Sequence, residues 1–198
     1  MFKSQEFLNQ SLNIAKIIIS QKLKEGDIAV DATAGNGNDT LFLANIVGSK
    51  GKVYSFDIQA NAIDNTKSLL ESNNIFRNVK LVNDGHEFID KYIKDKVKLV
   101  VFNLGYLPGS DKKITTKAQN TILAINKSLD LLVDGGLILL VVYYGPPTGT
   151  DEKEKVCAYS EKLDKQKYNV FRLDFINQDN NPPLLIGIEK RVYRQKNG

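Results

Sequence analysis

The sequence predicts an α/β fold: a doubly wound sheet of seven strands, mostly parallel, with an antiparallel strand at its C-terminal end. Three observations carry this. Short apolar runs alternate with longer amphipathic stretches through most of the 198 residues, the pattern of consecutive βαβ units. Those runs are nearly continuous, as strands buried on both faces require. The last two β-rich runs are joined by a short polar segment with two prolines instead of a helix, so they should pair antiparallel as a hairpin.

Taken in order, residues 7–23 set Leu8, Leu12, Ala15, Ile18 and Ile19 at helical spacing, and Gly26 then stops the helix. Strands are expected at 28–31, 53–57, 79–82, 97–103 and 137–143, with helices at 39–46, 60–72, 87–94 and 116–132 between them. A helix over 152–165 then leads to β-rich runs at 168–176 and 184–192. No repeat or interdomain linker interrupts the chain. One domain over 1–198 is expected, with an N-terminal helix in 1–25, a ligand-binding core in 26–145, and the helix and hairpin in 146–198.

Composition narrows the chemistry. The chain has one Cys (Cys157) and one His (His86), so it can build neither an internal disulfide, nor a Cys/His zinc cluster, nor a two-histidine metal site, and no metal is expected. The longest apolar run, Leu137 to Tyr144, is far short of the ~20 residues a bilayer demands. With no signal-peptide pattern at the N-terminus, a reduced, cytoplasmic location is expected and no membrane association. A net charge of +4 and pI near 9.0 permit a polyanionic partner, although a solvated lysine-rich surface gives the same numbers.

In an open parallel sheet, ligands bind beyond the carboxyl ends of the strands near the topological switch point. After the first strand comes DATAGNGNDT, residues 31–40. Gly35 and Gly37 allow a sharp turn and close approach of a ligand, and Asp39 and Thr40 fall where a helix starts. The dinucleotide fingerprint is incomplete, because Thr40 stands where a third Gly is expected. Twenty residues after Gly37, Asp57 ends the second strand and can accept from two ribose hydroxyls, or simply cap the next helix. Asp84 and Gly85 in NDGHEF can receive an adenine ring, or form a polar turn with His86 on the surface.

The fourth strand is the most informative. It closes on the polar Asn103 and runs into NLGYLPG, residues 103–109. The Asn103 amide oxygen and the Leu104 carbonyl offer two acceptors, and Tyr106 offers a ring face. Such a set can orient an amino-bearing group and stabilise charge developing on its nitrogen. Lys112, Lys113 and Lys117 follow on the same side as candidate phosphate contacts. Tyr143 and Tyr144 can stack on a base, with core packing the competing reading for Tyr143 and exposure expected of Tyr144 beside Gly145.

These residues resemble the class I S-adenosylmethionine-dependent methyltransferases, whose sheet is Rossmann-like with an added antiparallel seventh strand. More narrowly, GDIAVDATAGNGNDTLFLA, YSFDIQANAIDNT, NLGYLPG and the YYG segment resemble a small bacterial family. That family was long labelled putative rRNA methylase and is similar to tRNA 5-aminomethyl-2-thiouridine methyltransferases of Gram-positive bacteria. The resemblance covers residues 4–192. It implies S-adenosyl-L-methionine as cofactor, contacted by Asp31, Thr33, Gly35, Asn36, Gly37, Asn38, Asp39 and Thr40, by Asp57, Ile58 and Gln59, by Asp84, Gly85 and His86, and by Asn103. It further implies catalysis at Asn103, Leu104 and Tyr106, and substrate contacts from Tyr106, Lys112, Lys113, Tyr143 and Tyr144. Where the family often has histidines, this chain has Asn38 and Pro146, so no histidine role is carried over.

Methylation of a pyrimidine carbon ordinarily starts with an enzyme thiolate, and Cys157 lies in a predicted helix away from the strand ends, so a nitrogen or oxygen acceptor is expected. RNA is the expected partner, tRNA ahead of rRNA, with a homodimer enlarging the docking surface. The most specific expectation is N-methylation of 5-aminomethyl-2-thiouridine at the tRNA wobble position. The alternatives are an rRNA, small-molecule or protein methyltransferase on the same fold and, from other classes, a nicotinamide-dependent oxidoreductase or a noncatalytic nucleotide-binding module.

Overall fold

The computed structural model describes residues 10–105, 116–145, 150–179 and 181–192. Its elements follow one another as α1 (Ser11–Lys22), β1 (Ile28–Asp31), α2 (Asn38–Val47), β2 (Lys52–Phe56), α3 (Ala60–Ser72) and β3 (Val79–Val82). A single 3-10 turn (His86–Phe88) then leads to α4 (Ile89–Tyr92), β4 (Val97–Leu104), α5 (Ala118–Leu131), β5 (Leu132–Val142), α6 (Asp151–Glu161), β6 (Tyr168–Leu173) and β7 (Leu184–Lys190). The seven strands form one sheet in the order β3-β2-β1-β4-β5-β7-β6. The first five are parallel, and β7 runs antiparallel to both β5 and β6.

Alternate residues of the central strands feed two cores. Val30, Val100, Phe102, Ile138 and Leu140 face α5 through Ile125 and Leu129, and α6 through Val156. Ala29, Leu99, Val101, Leu139 and Val141 face α1 through Ala15 and Ile19, and α2 through Leu43 and Val47. Each fully buried aliphatic or aromatic side chain contributes roughly 1.5–3 kcal/mol, so this double-faced packing is what fixes the strand ends in space. α1 is also fastened to the antiparallel end of the sheet, where the Lys22 ammonium pairs with the Glu189 carboxylate of β7.

The strands lie where the sequence puts them, with instructive departures. β5 begins five residues earlier than expected: Leu132 pairs with Val97, and the register then jumps so that Leu137 pairs with Leu99. Asp134-Gly135-Gly136 reads as a turn, but with Gly135 at φ +67° it is absorbed as an irregularity within the strand. The helix expected over 87–94 is reduced to a 3-10 turn and a single α turn. β4 carries one residue further than expected, to Leu104, and that residue matters below.

Candidate active site

β1 and β4 are neighbours in the sheet although non-consecutive in the chain, and the switch point between them opens into a cleft of about 700 Å³. Its floor is the β1–α2 loop. Gly37 adopts φ +81°, and a Cβ there would lie 2.9 Å from the Thr66 Cα of α3, so only glycine lets the loop press against that helix. Gly35 also has positive φ, +53°. Its N–H donates to Asp57 Oδ2 at 2.9 Å, and the Gln59 N–H donates to Asp57 Oδ1 at 2.9 Å. The carboxylate at the end of β2 is thereby locked to the first loop, while each oxygen keeps lone-pair capacity for a ligand. Ile58 beside it, 61% exposed, offers an apolar face to the cleft.

Asp84 is held in the same way, by the Gly85 N–H at 2.8 Å and the Tyr92 hydroxyl at 2.8 Å. His86 is anchored by Nδ1 to the Ala32 carbonyl at 3.1 Å and meets the Phe102 ring edge-on. A carbonyl only accepts, so Nδ1 carries the proton and Nε2, buried and without a partner, is left as an acceptor. Burial, opposed by the Ala32 bond, lowers its pKa and keeps the ring neutral. Next to it, Glu87 accepts from Asn120 Nδ2 at 2.6 Å.

Asn103 occupies the centre. Its N–H donates to Thr33 Oγ1 at 2.7 Å, and its side-chain Nδ2 donates to Asp39 Oδ2 at 2.6 Å. Its amide oxygen is buried, faces no hydrogen-bond partner, and belongs to a residue lining the cleft. An unpaired buried acceptor costs roughly 1–3 kcal/mol, and such groups in native proteins call for an explanation. A ligand N–H supplies one here. On the acceptor side of Asn103, Gly105 and Thr116 are clasped together: the Thr116 N–H donates to the Gly105 carbonyl and the Gly105 N–H to Thr116 Oγ1, both at 3.0 Å. Thr116 Oγ1 and Thr121 Oγ1 in turn donate to Glu152 at 2.5 and 2.7 Å.

The profile of the family described as putative rRNA methylase matches residues 53–189. The chain belongs to the putative rRNA methylase family. It is a methyltransferase of the class I fold. A solved putative rRNA-methylase from Clostridium thermocellum shares 51% identity and superposes with a TM-score of 0.91, over 92% of this chain and 98% of that one. A putative methyltransferase from Streptococcus mutans, solved in complex with SAH, shares 40% identity with a TM-score of 0.84 over 96% and 99% of the two chains. The chloroplastic tRNA (mnm(5)s(2)U34)-methyltransferase of Arabidopsis thaliana is 37% identical over 186 residues, 89% of this chain and 68% of that protein.

Within this methylase, the structure sorts the sequence-predicted residues. Thr33, Gly35, Asn36, Asn38, Asp39, Asp57, Ile58, Gln59, Asp84, His86, Asn103 and Tyr143 all line the cleft. Asp31, Gly37, Thr40 and Gly85, expected as cofactor contacts, do not. Asp31 and Thr40 are fully buried beneath the floor. Thr40 Oγ1 donates to Asp31 Oδ2 at 2.6 Å and pairs with Ser55 Oγ at 2.7 Å, and the Thr33 N–H reaches Asp31 Oδ1 at 3.1 Å. Burial above all, then the charge of Asp39, pushes Asp31 up to about 7. These residues shape the loop from below.

Leu104 is drawn into the sheet, and one lone pair of its carbonyl is thereby used. Because β4 continues through it, its side chain is fully buried and its carbonyl accepts the Tyr143 N–H at 3.0 Å as part of the sheet. Of the two tyrosines, Tyr144 is the one that departs from the exposure expected of it. Tyr143 keeps part of its ring exposed and lines the cleft, and burial of the remainder, then Asp39, raises its hydroxyl pKa. Tyr144 packs against the α5–α6 core, with Lys153 3.6 Å from its ring centre. His86, for which a surface turn is the competing reading, is half-buried in the cleft wall. Tyr106, Lys112, Lys113 and Pro146 lie outside the described residues.

Sequence reasoning missed Leu12 and Lys16 of α1, and Glu87, Thr116 and Asn120 near α5, all of which line the cleft. Leu12 and Lys16 share a helix face at i, i+4, a signal that an ordinary amphipathic helix gives equally well. Cys157 sits in α6, away from the cleft, with its thiol pKa raised by burial. Among the described residues no His/Cys/Asp/Glu group is arranged to hold a metal, and no helix is long and apolar enough to cross a membrane.

Proposed function

We propose that this methylase acts on RNA, and that its acceptor is the amino nitrogen of 5-aminomethyl-2-thiouridine at the wobble position of tRNA. S-adenosyl-L-methionine is the methyl donor. When bound, it supplies an electrophilic methyl group on a sulfonium. The residues present suit it: a glycine-bearing loop for the methionine end, the preorganised Asp57 for ribose hydroxyls, and Ile58 with Asp84 for a planar amino-bearing ring. Asp39, Asp57 and Asp84, all lining the cleft, set a negative surround that favours a cation.

The observation that carries an amine acceptor is the unpartnered Asn103 oxygen. It accepts an N–H from the nucleophile, aims the nitrogen lone pair, and stabilises positive charge that grows on nitrogen during transfer. An alkylamine is protonated near neutral pH and must lose that proton first. Desolvation on entering the cleft lowers its pKa against the pull of the nearby carboxylates, and the proton leaves to bulk water. His86 is a poor base because its ring is buried and its pKa lowered, and Cys157 is remote. Tyr143, exposed at the rim, supplies a stacking face for a splayed base. Likeness to the Arabidopsis enzyme supports tRNA as the bearer of that amine.

The test is methyl transfer from labelled S-adenosyl-L-methionine to tRNA from cells lacking this activity, with nucleosides resolved by mass spectrometry. Conversion of 5-aminomethyl-2-thiouridine to its N-methyl form is expected. Label appearing only in ribosomal RNA, or surviving ribonuclease as protein or small-molecule product, overturns the assignment.

A further inference from the structure

We propose that Asp39 is a positioning residue that fixes which end of the Asn103 amide faces the methyl acceptor, and so makes the site selective for a nucleophile bearing an N–H. This rests on the amine-acceptor reading above. The oxygen and nitrogen of an amide side chain have nearly the same shape, so an Asn at the end of β4 can present either an acceptor or a donor to the cleft. Asp39 removes that ambiguity. Its ionised carboxylate can only accept, and it stands 2.6 Å from Asn103 Nδ2. The amide nitrogen is drawn to the carboxylate, and the oxygen of this cleft-lining residue is left buried and unpartnered.

The supporting contacts point the same way. The Asn103 backbone is held by its N–H on Thr33 Oγ1 at 2.7 Å, which fixes where the side chain starts, and the Asp39 contact then sets which end of the amide meets the carboxylate. Asp39 lies in the first turn of α2, where the helix N-terminus favours a negative side chain. A flipped amide would turn NH2 toward the cleft, repel an amine N–H, and serve a hydroxyl or carbonyl acceptor instead. The carboxylate therefore sets the chemical class of the substrate through a residue it does not itself share with the reacting atoms.

Charge exchange tests this. Asp39→Asn lets either amide orientation form, and kcat at saturating S-adenosyl-L-methionine should fall roughly 10- to 100-fold, at or below the roughly 10²–10³-fold of losing an aligned hydrogen bond outright, with a smaller loss of cofactor affinity from the removed charge. Asn103→Asp alone sets two carboxylates against each other and should be at least as impaired. The double variant Asp39→Asn/Asn103→Asp restores the geometry, because an amide at 39 donates to a carboxylate at 103 whose second oxygen faces the cleft. It should recover most of the lost kcat. Wild-type kcat in Asp39→Asn, a loss confined to cofactor affinity, or a double variant no better than the worse single one overturns the proposal.

A readout free of substrate separates this from the functional reading. In the NMR spectrum, the two Asn103 side-chain amide protons should be widely split by the carboxylate contact, and the splitting should collapse in Asp39→Asn. If the wild-type enzyme methylates no RNA but the splitting behaves this way, the substrate assignment fails and the positioning role stands. An Asn103 amide indifferent to Asp39 contradicts the positioning role whatever the substrate.

Discussion

The two halves of the cleft are built on opposite terms. On the β1–β3 side, both oxygens of Asp57 and both of Asp84 already accept hydrogen bonds from the protein, and the Gly37 turn is wedged against α3. On the β4 side Asn103 Oδ1 is left unpartnered, as is Nε2 of His86, on the turn after β3, whose ring meets Phe102 of β4. The first half has its geometry fixed before anything binds, as suits a cofactor that is the same in every turnover. The second keeps an acceptor in reserve beside Gly105 and Thr116, which are tied to each other.

This contrast predicts how each half breaks. Asn103→Ala should reduce kcat by roughly 10²–10³-fold in a single-turnover methyl-transfer assay; a change of only donor affinity would move Asn103 to the first half. Asp57→Ala frees the Gly35 loop as well as removing the carboxylate. It should weaken S-adenosyl-L-methionine binding by roughly 100-fold, about 2.7 kcal/mol, by calorimetry, with kcat at saturating cofactor much less affected.

A subtler difference concerns pH. Asp31 has a folded-state pKa near 7, above its unfolded value of 3.8. Between those values the folded state binds the extra proton, so stability contributed by this group is present below the unfolded pKa and is lost as pH rises toward 7. Urea unfolding should show about 2–3 kcal/mol lost between pH 5 and 7 from this residue, and Asp31→Asn should flatten that slope. An unchanged slope would show that Asp31 is ionised in the fold. Gly37→Ala should cost about 2 kcal/mol, from its positive φ and the clash with Thr66, read as a lowered unfolding midpoint.

Much of this organisation was legible in the sequence because it depends on local chemistry. Period and continuity of apolar residues placed the parallel strands, and Gly35, Asp57, Asp84 and Asn103 each stand at a strand end where only a ligand or a turn explains a glycine or polar residue. What was not legible depends on geometry across elements. Leu104 looks like a loop residue until β5 extends beside it. Tyr143 and Tyr144 are chemically equal, and the alternation of β5 decides which one meets the cleft. Asp31 belongs to the same motif as Asp39, yet one is sealed under Thr40 and the other faces the cleft. Lys16 reaches the cleft only because α1 folds back across the sheet, a placement that no local pattern encodes.

Nucleoside mass spectrometry of tRNA from cells deleted for this gene tests most directly whether the acceptor is an amine on tRNA. The expected result is accumulation of 5-aminomethyl-2-thiouridine with loss of its N-methylated product, reversed by the wild-type gene and not by Asn103→Ala. An unaltered wobble-uridine profile in the deletion would contradict it.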